Sequence, residues 1–305
     1  MTYVSKDLYQ YVTDQIITAL EAGTPPWVCP WSRTPGNAMP ANLATSRAYR
    51  GINTILLNMQ AMSHGYAVNR WLTFQQARAL GACVRRGETG TGIVFFKMLE
   101  RDGESCGRCA NDEPARKVIP LLRSFTVFNA AQVEGLPEGL VAPEIAPEGW
   151  SPVAAAEELL ARSGAVIRHG GDQAFYRPSD DVIQLPLPAV FPEASRYYNV
   201  ALHELTHWTG AVGRCNRPLQ GRQHIEAYAY EELIAELGAA FLSAHCGLPS
   251  ELQHASYIAD WLTALRNDKR LIFSASSMAQ KAVDYLLPPQ ATAPNPQVSA
   301  IPALA

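Results

Sequence analysis

Apolar residues return every three to four positions over several stretches of the chain. Leu8, Val12, Ile16 and Leu20 recur in this way and Gly23 supplies a stop, which predicts a helix over 5–22. The same pattern over 52–62, closed by Gly65, predicts a second helix. Thr73 with Gln76 three residues on makes a capping box, and a short helix should run from it through Leu80. The segment 24–31 is too rich in proline for a regular element. Then the residue types change: 92–99 and 118–129 are dense in Val, Ile and Phe and read as two strands around a polar loop.

A proline-rich, acidic stretch follows and reads as a linker over 136–152. Beyond it the pattern predicts a helix over 153–163 and short strands over 165–169 and 174–178. Residues 182–185 alternate into Pro186 and are expected to form an edge strand. Helices should cover 197–211, 228–242, 256–265 and 274–287, with a disordered Pro/Ala-rich tail over 288–305. The expected fold class is α+β in two domains, 1–135 and 153–287. A length of 305 residues, 48% apolar and 17% charged, suits two ordinary cores.

The chemistry is concentrated in His203-Glu204-Leu205-Thr206-His207, inside a predicted helix. At 3.6 residues per turn, imidazoles four positions apart leave one face, so both can hold a single Zn²⁺ while Glu204 addresses a water on the same ion. Leu202, Leu205, Trp208 and Thr209 surround the polar groups, placing them at a core boundary where a metal would satisfy them together. A third ligand is needed. The helix over 228–242 offers Glu231, Glu232 and Glu236, of which Glu232 and Glu236 share one side. Glu232 is the expected ligand, Glu236 the acceptor that fixes a histidine tautomer, and Glu231 the alternative ligand. Availability also admits Mn²⁺ or another divalent ion. Tyr228, Tyr230, His224, His254 and Tyr257 remain open as the group that stabilises a developing oxyanion.

These two helices, His203-Glu-Leu-Thr-His-Trp-Thr-Gly210 and Glu231-Glu-Leu-Ile-Ala-Glu-Leu-Gly238, resemble the gluzincin-type metallopeptidase domain of the ArdC antirestriction family and of related phage polyvalent proteins. Glu236 stands where gluzincins usually carry Asp. Upstream, Asp7-Leu-Tyr-Gln-Tyr-Val-Thr-Asp-Gln-Ile16, Pro26-Trp-Val-Cys-Pro-Trp31, Tyr49-Arg-Gly-Ile-Asn53 and Arg70-Trp-Leu-Thr-Phe-Gln-Gln-Ala77 are similar to the family's single-stranded-DNA-binding domain, which also begins some conjugative primases. The resemblance spans about residues 5–287 and implies a protein of mobile elements that helps incoming DNA escape host restriction; the lack of an apolar signal region points to the cytoplasm. It further implies binding to single-stranded DNA and, with it, cleavage of a host protein.

Charge agrees with that division of labour. Residues 1–135 hold 14 basic and 10 acidic residues and the remainder 11 and 18, so the net −3 conceals a basic first half. Cations along a track with aromatic faces suit unpaired bases. Arg47, Arg50, Arg70, Arg85 and Arg86 are the expected phosphate contacts, and Trp31 and Tyr49 the expected stacking groups. The Gly87 turn should leave Arg85 and Arg86 free to reach out. The same aromatics also suit a buried core. No apolar run reaches the ~18 residues of a membrane span. Six cysteines (29, 83, 106, 109, 215 and 246) make no disulfide framework, and Cys106-Gly-Arg-Cys109 reads as a reduced loop, not as half of a zinc site. Two other readings stay open: a single-strand coat protein whose metal is only a staple, and a metal-dependent nuclease, although one ion is fewer than many nucleases use.

Overall fold

A computed structural model describes residues 7–28, 39–101, 117–137, 139–141, 151–219, 225–250 and 255–287. The polar loop with Cys106 and Cys109, most of the predicted linker, Trp31 and the tail over 288–305 lie outside these residues.

The architecture is α+β. In the first half come α1 (Leu8–Glu21), β1 (Ala41–Asn42), α2 (Ile52–Ser63), β2 (Arg70–Thr73), α3 (Phe74–Ala79), β3 (Cys83–Val84), β4 (Thr91–Arg101), β5 (Lys117–Asn129) and β6 (Val133–Glu134). Asp7 caps α1 by accepting from the amides of Tyr9 and Gln10. The Thr73/Gln76 capping box forms in both directions at the start of α3, as its spacing requires. A four-stranded sheet runs β1-β2-β5-β4, with β1 parallel to β2 and the rest antiparallel. Its outer strand β4 would leave bare amides and carbonyls. Asn53 on α2 covers part of that edge: its side-chain amide donates to the Val94 carbonyl and accepts from the Val94 N–H, both at 2.8 Å, as a neighbouring strand would.

The second half holds α4 (Pro152–Ser163), β7 (Val166–His169), β8 (Phe175–Arg177), β9 (Val182–Leu185), α5 (Ala194–Trp208), α6 (Ile225–Cys246), α7 (Ile258–Asn267) and α8 (Leu271–Leu286). Its sheet is ordered β7-β9-β8, so the strand expected at an edge is central instead. Pro186 lies one residue past the last paired position and interrupts no ladder bond, while Val182, Ile183 and Leu185 are buried. β8, antiparallel to β9, is the outer strand that packs against α5.

The halves share a core. Val12, Ile16, Leu20 and Trp27 belong to the same buried cluster as Leu205, Leu233, Trp261 and Ile272. The Trp27 ring meets Trp261 edge to face at 5.9 Å, Thr13 donates to the Lys269 carbonyl at 2.8 Å, and Asp7 and Glu21 pair with Lys269 and Arg266. A second junction lies at the start of α2. There Gly51 adopts a positive φ of 55° and its N–H donates to Gln280 on α8 at 3.0 Å, while Arg50 pairs with Asp284 of the same helix.

Candidate metal centre

The apolar stripe of α5 turns inward against α6, and that orientation carries His203 and His207 to the seam between the helices. His203 is 1% exposed and Glu232, coming from α6, 4%. The two Nε2 atoms stand 3.1 Å apart. Glu232 reaches them with one oxygen each, Oε2 at 3.4 Å from His203 and Oε1 at 3.7 Å from His207. Ligand atoms about 2.0–2.1 Å from one tetrahedral ion stand about 3.3–3.4 Å apart. Two imidazole nitrogens and a carboxylate at these separations fit a borderline divalent cation, and a tetrahedral ion so held has a fourth position left for water or substrate. Among the described residues this trio is the one group of metal-ligating side chains gathered so closely.

Each imidazole also has a carboxylate behind it. Glu231 Oε1 lies 3.1 Å from Nδ1 of His207, on the side away from the trio. Glu236 Oε1 stands 3.9 Å from Nδ1 of His203, an ion-pair distance longer than a hydrogen bond. Glu231, the alternative ligand of the sequence reading, thus occupies the position of a carboxylate that orients a ligand. Burial opposes a charge on His207, but Glu231 and Glu232 outweigh it and push its pKa up to about 10. Burial likewise opposes charge on both carboxylates; the imidazoles outweigh it at Glu232, and His207 with Arg217 outweighs it at Glu231, so both lie below the usual carboxylate range. Glu204 is 6% exposed and follows His203 directly on α5.

Arg217 was not foreseen. The residue is 7% exposed, and its guanidinium donates to both oxygens of Glu231 at 3.0 and 2.8 Å, to the Thr206 carbonyl at 2.7 Å and to the Thr209 hydroxyl at 2.9 Å. It therefore ties the end of α5 to the carboxylate behind His207. It sits in an irregular segment where no periodicity marks it; the available hint was that a buried Glu231 needs a cation.

Gly238 explains how α6 can come so close. A Cβ there would lie 2.4 Å from Thr206 Cγ2 and 2.8 Å from its hydroxyl, inside the motif helix. Gly238→Ala is therefore expected to push the helices apart, lowering stability by about 1–3 kcal/mol and weakening metal affinity, both readable by thermal melts with and without Zn²⁺. Parent-like values on both counts would contradict this packing.

The expected DNA contacts are spread over the first half. Arg47 and Arg86 are exposed. Arg50 engages Asp284, and Arg70 is half-buried on β2 beside Ala41. Arg85 folds back on Glu88 with donors at 3.1 and 2.8 Å, so the turn leaves one of the two guanidinium groups engaged. Tyr49 is half-buried against Trp71 and Val127 and accepts from Asn42 at 3.2 Å. Trp27 and Trp71 are core residues. Of the oxyanion candidates, the Tyr230 hydroxyl meets Ser274 at 2.6 Å, and Tyr228, one turn before Glu232, packs its ring 5.7 Å from that of Tyr257; His224 and His254 lie outside the described residues.

Two family models match the chain: the N-terminal domain of anti-restriction factor ArdC over 6–128, and a zincin-like metallopeptidase over 154–278. Fold and site together define a zincin-like domain joined to an ArdC-type N-terminal domain. The chain belongs to the ArdC antirestriction family. The uncharacterized protein y4eC of Sinorhizobium fredii is 44% identical over 96% of this chain and 95% of its own length. A DNA primase TraC of Escherichia coli is 43% identical over 94% of this chain, which spans 28% of that primase. Crystal structures of antirestriction ArdC from plasmid R388 superpose with TM-scores of 0.75 (metal-free) and 0.74 (Mn(II)-bound). Their identities are 43% and 41%, and the matches cover 92% of this chain and 96% and 97% of theirs. Among the described residues no helix is long and apolar enough to cross a membrane.

Proposed function

We propose that the chain binds single-stranded DNA through its first half and hydrolyses peptide bonds at a divalent metal, Zn²⁺ foremost, held by His203, His207 and Glu232, and so protects incoming mobile-element DNA from host restriction. One observation carries the enzymatic part: three ligand atoms of the types zinc prefers converge within 4.8 Å at a buried seam. A bound divalent cation supplies Lewis acidity, polarising a carbonyl and acidifying a water.

The protein's residues supply the rest. Glu204 takes the proton of the attacking water and returns it to the leaving amine, a role worth about 10²–10⁴ in rate. Glu231, at hydrogen-bond distance from Nδ1 of His207, keeps that imidazole turned with Nε2 toward Glu232, and Glu236 places a second carboxylate behind His203 at longer range. β8, beside α5 and paired on one side only among the described residues, offers an edge to which an extended peptide can add as a strand. Such backbone pairing tolerates many sequences.

The test compares Glu204→Ala and His203→Ala in peptide cleavage, metal-induced thermal stabilisation, single-strand affinity and protection from restriction. Glu204→Ala should lower cleavage by about 10²–10⁴ and keep the stabilisation by metal, about 2.7 kcal/mol at a hundredfold excess over Kd. His203→Ala should lose both. Each variant should bind single-stranded DNA like the parent. Protection that survives both substitutions removes proteolysis from the role and leaves a coat protein with a structural metal; shortened DNA in the presence of metal points to a nuclease.

A further inference from the structure

Phe95 on β4 and Phe125 on β5 are 36% and 37% exposed, and their rings meet edge to face with centroids 5.9 Å apart. We propose that this pair, with Arg123, is a stacking platform for the bases of a single-stranded nucleic acid. The inference rests on the single-strand binding proposed above and supplies it with a site.

The register places the three side chains together. Phe95 lies opposite Arg123 and Ile93 opposite Phe125, so all four project from one face of the ribbon. That face is anchored. Ile93 packs with the fully buried Trp71 and Val127, where Tyr49 also sits. The phenyl pair therefore continues a rigid core outward to the point where its cover ends, and pays little ordering entropy on binding.

Its surroundings select the occupant. Residues 123–126 of β5 are all exposed; Arg123 shares the face of the two rings, while Ser124 and Thr126 alternate onto the other face. The sequence of the two strands holds Lys97, Arg101, Lys117 and Arg123 against Glu100, a net of +3. Exposed aromatic faces beside the Arg123 guanidinium complement a polyanion with exposed π-systems, and every base supplies such a face irrespective of sequence.

The test measures affinity of the full chain for a 20-nucleotide oligo-dT and for an abasic strand of the same length, which keeps the phosphates and lacks the bases. The parent should prefer oligo-dT. F95A/F125A should weaken oligo-dT binding by about fivefold or more and leave the abasic strand unchanged, with the same salt slope. R123A should weaken both strands alike and lower the slope by about one. In F95W, tryptophan emission beyond the parent's should be quenched by oligo-dT, a readout that survives if the double variant folds poorly. Parent-like oligo-dT affinity of F95A/F125A with no quenching in F95W overturns the platform while the parent's own binding stands. A parent that binds neither strand overturns the platform and the reading beneath it. Loss of self-association in F95A/F125A at unchanged DNA affinity would show a contact between copies instead, and also overturns it.

Discussion

Glu231→Ala is expected to lower stability by about 3–5 kcal/mol, because it strands the Arg217 charge in a site that is 7% exposed. Few single substitutions approach that size. The pair is bidentate and carries two further hydrogen bonds from Arg217 to the end of α5, so losing the carboxylate also frees the turn that follows His207. With no acceptor behind Nδ1, His207 can rotate, and metal affinity should fall about 10–100-fold. Glu231→Gln, which still accepts from the imidazole and the guanidinium, should recover part of both losses. Urea melts and metal titrations of the two variants decide it: a Glu231→Ala protein within about 0.5 kcal/mol of the parent, the range of ordinary surface changes, would falsify the network.

Trp27→Ala should cost about 3–5 kcal/mol as well, through the cavity left beside Trp261. The loss should not stay in the first half. Trp27 and the inner face of α1 share a buried cluster with α5 to α8, so the variant should lower the unfolding midpoint of the metal-bearing helices too, in one transition. The indole of Trp261, fully buried and bonded to the Ala229 carbonyl at 3.0 Å on α6, is the direct link to the helix of Glu232. Two separate transitions, with only the first moved by the substitution, would sink the shared core.

The helices that carry the site were legible because apolar residues recur along each every three to four positions, although α6 proves to be buried all round from Glu231 to Ser243. His203 and His207 could be paired from spacing alone, since one helix sets their geometry. Local rules also sufficed for the Thr73/Gln76 box and for the long β4/β5 ribbon, whose partners are near in sequence. β9 was misplaced within its sheet because alternation reports which face is buried and is silent about how many neighbours a strand has. Arg217 escaped because a buried cation in an irregular loop has no period. Arg85 defeated the turn reading because its partner, Glu88, lies within the same turn and competes with any phosphate for the guanidinium.

What the amino-acid order determined unaided was chemistry held within single elements: two imidazoles and a carboxylate on one helix, acidic candidates on the next, a basic and aromatic first half. Tertiary structure alone decided which carboxylate meets the ring nitrogens and which stands behind them, for adjacent residues 231 and 232 differ by 100° around a helix and only the packed seam selects between them. It also decided that Trp27 serves the core beneath the metal site and that Phe95 and Phe125 meet in the open. Contacts between residues far apart in the chain are set by burial and complementarity, and neither leaves a local pattern to read.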